Sequence, residues 1–253
     1  GAYDAILKEA QDLGYAEADP TFDVGGYDAA HKLLILASIA YGIDAKPEDI
    51  LIEGIENVSQ EDIAFAKEFG YAIKLLGIAK KDGNEVELRV HACLISQDEM
   101  IAKIDGVMNG ISVVGDKVGE TLYYGPGAGG DATASAVVAN IIDIARSGKS
   151  APMLGFDKPL EGKLTLKATD DINSKYYLRI NVSDRAGVLA KITKVFEENN
   201  ISVETMLQRP ASTNSANLLI STHIALEKDI QTMIKEIEAL EFVNFTPVMI
   251  RIV

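Results

Sequence analysis

The chain has 253 residues, 47% hydrophobic and 25% charged with only 7 prolines, which excludes a disordered chain and provides core enough for two domains. Its 24 basic residues stand against 38 acidic ones for a net charge of −14, and with no basic cluster to offset that charge a nucleic-acid partner is excluded. A single cysteine, Cys93, excludes an internal disulfide framework and fits a reducing, cytoplasmic setting, and no apolar run approaches the ~20 residues that span a bilayer.

In chain order, GAYDAILKEAQ lacks the basic-then-apolar order of a signal peptide. It reads as an amphipathic helix already under way, with Ile6, Leu7, Ala10 and Leu13 on one face and Gly14 closing it, as expected of the later part of a longer chain. A charged stretch follows, then a helix from Tyr27 to Tyr41 stopped by Gly42. The run Leu33, Leu34, Ile35, Leu36 predicts burial of that helix on nearly all sides. Ser59 and Asp62 form a capping-box start for a helix ending at Gly70. Beyond it, YAIKLLGIAK and EVELRVHACLI flank the turn KDGN, a hairpin signal. GVMNGISVV and ETLYY form a second antiparallel pair, so residues 15–124 read as helices followed by an antiparallel sheet, an α+β arrangement.

GPGAGGDATASAVVANIIDIARSG then leads into a helix over about 132–146, and a Lys/Gly/Pro-rich linker with one short strand spans 149–174. The remainder, 175–253, has the order βαββαβ of the ferredoxin-like motif.

The charged stretch EADPTFDVGGYDAAHK, residues 17–32, carries the first candidate site. Asp28 and Lys32 are four apart and project from one helix face, and Asp28 in the first turn is favoured by the helix dipole. Taken alone the pair is a surface ion pair or part of a polar ligand site. Gly25 and Gly26 allow the preceding loop to approach closely, so Asp23, Asp19 and Glu17 can converge there.

Gly14, Tyr15, Glu17, Asp19, Pro20, Asp23, Gly26, Asp28 and Lys32 together resemble the substrate-binding signature of homoserine dehydrogenases. The resemblance continues through EDIAFAKEFGYAIKLLGIAK and YYGPGAGGDATASAV and covers residues 1–148. It implies interconversion of homoserine and aspartate semialdehyde with NAD or NADP. The implied roles are Lys32 as the group exchanging the hydroxyl proton, Glu17, Asp23 and Asp28 as substrate contacts, and Gly14 and Gly129 as cofactor contacts. It further implies that the cofactor is held mainly by an N-terminal nucleotide-binding domain absent from these residues, to which 125–148 return. The helix over 132–146 would then expose Val137, Val138, Ile141, Ile142 and Ile144 for that domain. Such a piece is not expected to turn over unaided. Ala92, where many relatives carry proline, is the one departure noted.

Gly125, Gly127 and Gly130 fit G-x-G-x-x-G, but no βαβ unit follows, and Asp143 falls inside the helix where an acidic residue should end the next strand, so an independent dinucleotide site is not expected. SDRAGVLAKI, residues 183–192, lies between the first strand and helix of the βαββαβ unit. Asp184 there is either a helix cap or part of an anion-accepting helix start. With NNISVETMLQR it resembles the ACT domain, a sensor of small molecules. That resemblance implies threonine as effector near Asp184, Gly187, Val188 and Gln208, with Ala186 in place of a common proline, and a homodimer or higher homo-oligomer.

His91 and His223 read as packed or surface residues, Cys93 as a core residue, and EKDIQTMIKEIEALE as a solvated helix face; no spacing suggests a metal. Two other classes remain open: a non-catalytic amino-acid sensor and a module that only assembles.

Overall fold

The computed structural model describes residues 8, 11–12, 19–148, 159–160 and 162–253. A four-residue helix α1 (Thr21–Val24) precedes α2 (Tyr27–Tyr41), which starts after Gly26 at φ +83° and stops at Gly42, whose left-handed N–H returns to Ser38 O. Ala30, Leu33 and Ala37 are its buried stripe, laid on Val86, Leu88 and Val90. Gly77 makes room for it, since a Cβ there would stand 3.3 Å from Leu33 Cβ. The expected all-round burial is corrected: Ile35 is 61% and Leu36 39% exposed. Only the stripe at i, i+3, i+7 can touch one sheet, whatever the remaining residues are.

After strand β1 (Leu51–Ile52), Ser59 caps α3 (Gln60–Glu68) reciprocally with Asp62, as its sequence predicts. The hairpin of β2 (Tyr71–Asp82) and β3 (Glu85–Ser96) turns through Gly83 and Asn84, with Asp82 opposite Glu85. β4 (Met108–Gly115) and β5 (Gly119–Pro126) form a separate two-stranded sheet. Helix α4 (Gly130–Ser147) follows, with no buried residue.

β6 (Thr165–Leu166) lies within the expected linker. The last portion comprises β7 (Asn173–Ser183), α5 (Val188–Glu198), β8 (Val203–Pro210), β9 (Ser215–Thr222), β10 (Ala225–Leu226), α6 (Glu227–Glu238) and β11 (Val248–Ile252). Its sheet order β11-β7-β9-β8 is antiparallel throughout, with α5 and α6 on one face, the expected ferredoxin-like arrangement. Ile192, Phe196, Ile230 and Met233 close the core over Leu178 and Ile180.

The α+β class holds, and the sheet is more continuous than the strand pattern predicts. β3 pairs antiparallel with β2 on one edge. On the other it takes three short parallel segments, β6 at Glu85–Val86, β1 at Arg89–Val90 and β11 at Cys93–Leu94. Through β11 the sheet runs unbroken from the first region into the βαββαβ unit. The face opposite α5 and α6 receives α3, where Phe65 stacks on Tyr177 at 5.1 Å and Ala66 meets Leu219 and Ile250. Among the described residues no helix is long and apolar enough to cross a membrane.

Candidate functional site

The first turn of α2 gathers the charges that the sequence singles out. Lys32 Nζ donates to Asp28 Oδ2 at 2.5 Å, with both side chains about half exposed, so the pair is open to solvent and adds only a few tenths of a kcal/mol to the helix. Asp23 is half-buried in α1, its backbone carbonyl accepting from Gly26 N, and Asp19 Oδ1 accepts from Thr21 N just before it. The loop thus folds back on the helix start as the paired glycines predict. The ring of His31 meets Phe22 edge-on at 5.4 Å. Glu17 and Gly14 lie outside the described residues, and of the described members of the predicted catalytic and substrate-contacting set Asp28 and Lys32 are in direct contact.

The position of this turn is set from behind. A Cβ on Gly26 would come within 3.1 Å of Glu53 O and 3.3 Å of Val90 Cγ1, and one on Gly54 within 2.4 Å of Val24 O. Ile55 N donates to Val24 O and Glu53 N to Val90 O. Residues 53–55 therefore clamp the start of α2 against β3, with glycine on both sides of the contact.

Gly129 caps α4 at φ +106°, with open space where a Cβ would stand. Among the described residues β5 pairs only with β4, and β6 joins β3. Val137, Val138, Ile141, Ile142 and Ile144 are all at least 43% exposed, as expected.

In the βαββαβ unit, Gly187 precedes α5 at φ +87° and Val188 is buried as its first residue. Gln208 Nε2 donates to Asp184 Oδ1 at 3.1 Å, so β8 and the β7–α5 loop close on one another at this helix start. The four predicted effector residues thus share one place in the fold.

A buried ionic row is the feature that sequence reading missed. Arg251 on β11 is 1% exposed and grips two carboxylates: Glu227 at the start of α6, at 2.8 and 2.5 Å, and Glu53, at 2.6 and 3.0 Å. Burial opposes the charge on Arg251, but the hydrogen bonds it donates to Glu227 and Glu53 outweigh it and raise its pKa. Burial likewise pushes the Glu227 carboxyl up, and the Arg251 guanidinium reverses this and holds it below the usual range. The reading of EKDIQTMIKEIEALE as a solvated face is corrected here, since Glu227 is buried and also accepts from the Tyr176 hydroxyl at 2.9 Å. A second junction joins α3 to β7: Arg179 donates to Asp62 at 2.7 and 3.0 Å and Tyr177 OH to Asp62 at 3.2 Å.

Beside Arg251, His91 is buried as expected. Its Nδ1 faces Ala92 O at 2.9 Å and its Nε2 faces Arg89 Nη1 at 3.0 Å, the pattern of a neutral ring with its proton on Nδ1. Burial, then the charges of Arg251 and Arg89, push its pKa down to about 3. Burial pushes the Cys93 thiol up to about 12, which keeps it an inert core group. Among the described residues no cluster of His, Cys, Asp or Glu could hold a metal ion.

Comparison with known proteins agrees with both halves of this layout. The homoserine dehydrogenase family profile matches residues 1–142 and the ACT domain profile residues 176–242. The chain is 57% identical to a homoserine dehydrogenase of Helicobacter pylori over 97% of its own length and 58% of that protein's. It is 45% identical to one of Neisseria gonorrhoeae over 99% and 59%. The crystal structure of a homoserine dehydrogenase from Thiobacillus denitrificans superposes with a TM-score of 0.88 at 44% identity, covering all of this chain and 59% of that one. The chain thus spans somewhat over half the length of the relatives it matches, and it belongs to the homoserine dehydrogenase family.

Proposed function

We propose that this chain is the substrate-binding and regulatory portion of an NAD(P)-dependent homoserine dehydrogenase. The reading rests chiefly on the Asp28–Lys32 pair at 2.5 Å, which presents one cation and one carboxylate to solvent at a clamped helix start. In this reading Lys32 Nζ exchanges the proton of the homoserine hydroxyl, Asp28 holds Nζ toward it, and Asp23 with Glu17 receives the substrate ammonium. The nicotinamide cofactor, when bound, supplies the hydride acceptor. Gly129, with no side chain and open space before α4, suits close approach of such a group, and Gly14 is assigned with it. Residues 1–148 form the substrate domain in this proposal, with 125–148 and the exposed apolar face of α4 returning to the nucleotide-binding domain. Residues 149–174 link it to the ACT domain at 175–253.

Threonine is the proposed effector, bound where Asp184, Gly187, Val188 and Gln208 meet. Assembly is a homodimer or higher homo-oligomer in the cytoplasm. One edge of the βαββαβ sheet, β11, is already taken by β3, which leaves β8 as the edge open to a second copy.

The test is homoserine-dependent cofactor reduction by the full gene product, with and without threonine. Lys32→Ala should abolish turnover while the thermal unfolding curve stays nearly in place, because Lys32 is exposed and its ion pair with Asp28 adds only a few tenths of a kcal/mol. Near-normal turnover in that variant refutes the assignment, and a wild-type protein that binds threonine but never turns over is a sensor instead.

A further inference from the structure

Arg251 belongs to the βαββαβ unit by its place in β11, yet one of its two carboxylate partners belongs to the other region. Glu227, itself held by the Tyr176 hydroxyl, fixes the guanidinium from the side of α6, and its remaining edge holds Glu53. Glu53 is the first residue of the segment that clamps the start of α2. Its carbonyl stands where a Gly26 Cβ would touch, its N–H is tied to Val90 O, and two residues on Ile55 N holds Val24 O. The path from α6 to the Asp28–Lys32 turn therefore passes through two bidentate ion pairs and then the backbone of residues 53–55.

From this geometry we propose that Arg251 is a positioning residue, through which the βαββαβ unit sets the placement of the helix turn bearing Asp28 and Lys32. The parallel junction of β11 with β3 supports this, because Arg251 lies in register with Cys93 and Ile252 with Leu94, so a shift of β11 cannot leave β3 and Glu53 in place. A bidentate guanidinium transmits orientation as well as charge, since both N–H edges are fixed in one plane. Coupling of this kind needs an element that both sites bias, and the Glu53 segment is that element. As far as the substrate is concerned, the inference rests on the reading of Lys32 given above.

Glu53→Gln in the full-length enzyme is the informative variant. The Glu53 side chain is 39% exposed, so the neutral amide keeps the shape and leaves no new buried charge on its own side. Hydrogen exchange of the amides at 26–32 should speed up about fivefold or more, at the lower end of usual coupling strengths. Amides of α5, on the far side of the βαββαβ core, should stay within about twofold. Glu227→Gln, which loosens Arg251 from its anchor without touching Glu53, should move residues 26–32 in the same direction. The kcat for homoserine oxidation should fall by about the same factor with KM changed less, the pattern of a displaced proton-exchanging group rather than of lost substrate binding. Exchange at 26–32 that stays at the wild-type rate in Glu53→Gln overturns the proposal. A wild-type enzyme with no homoserine turnover would refute the substrate reading separately, and the exchange rates would still decide the coupling.

Discussion

Replacing Asp62 by alanine should weaken the seam between the two halves more than any other single truncation on α3. The carboxylate is buried and accepts five hydrogen bonds: two from Arg179, one from Tyr177 and two from the N–H and hydroxyl of Ser59. Burial pushes its pKa up, yet hydrogen bonds from Arg179 and Ser59 prevail and hold it below the usual range. Breaking a fully buried pair costs about 3–5 kcal/mol. Arg179 keeps 17% of its side chain in solvent and has Glu61 at 3.8 Å as a substitute partner, which places the cost near the low end. Losing the reciprocal helix cap adds about 1 kcal/mol. The total of about 4 kcal/mol corresponds to a fall in Tm of roughly 10 °C for a chain of this size. Thermal unfolding followed by circular dichroism measures it, and the continuous sheet should keep the transition cooperative. Asp62→Asn, which retains the volume and one acceptor, should lose about half as much. A double variant, Asp62→Leu with Arg179→Met, should recover much of the loss by removing both charges together. A fall of less than about 2 °C in Asp62→Ala would refute the view that this junction holds the halves together.

Three further outcomes follow from the buried row and the glycines. His91 has a native pKa of about 3 against an ordinary 6.5, so the unfolded chain takes up a proton first as pH falls. Its contribution to stability is complete above pH 6.5 and declines below it, and urea midpoints from neutral pH down to about 5 should fall in the wild type and flatten in His91→Gln. Asp62 and Glu227 do not confuse that window. Their depressed native pKa values make their contributions present above the ordinary 3.8 and 4.5 and lost only as pH falls below them, so Glu227→Gln should lower the urea midpoint by a constant amount across neutral pH and flatten only the steeper acid limb. Gly26→Ala should cost more than Gly187→Ala in equilibrium unfolding. Both sit at positive φ, worth about 1–2 kcal/mol, but only at Gly26 would a Cβ also press on Glu53 O and Val90.

The local elements were legible in the sequence because they depend on neighbours in the chain. Gly42 closing α2, the Ser59–Asp62 cap and the turn at Gly83 are each decided within four residues by backbone stereochemistry and short hydrogen bonds. The βαββαβ order was legible for the same reason, as was the ion pair of Asp28 and Lys32, one helical turn apart. What the sequence could not show is which edge strands meet. A run such as VMIRI reads as a strand with one awkward arginine, and nothing near it in the chain says that Glu53, 198 positions earlier, completes its ion pair. EKDIQTMIKEIEALE reads as solvated because charge alone does not reveal that its first glutamate is covered by β11. Likewise Ile35 and Leu36 read as core although α2 has only one sheet to lie on. Sequence by itself determined the elements and the residue types at the candidate site. Only the tertiary structure decided that β3 and β11 join the two halves in one sheet, because strand pairing and burial of paired charges are contacts between distant segments whose energy no local pattern encodes.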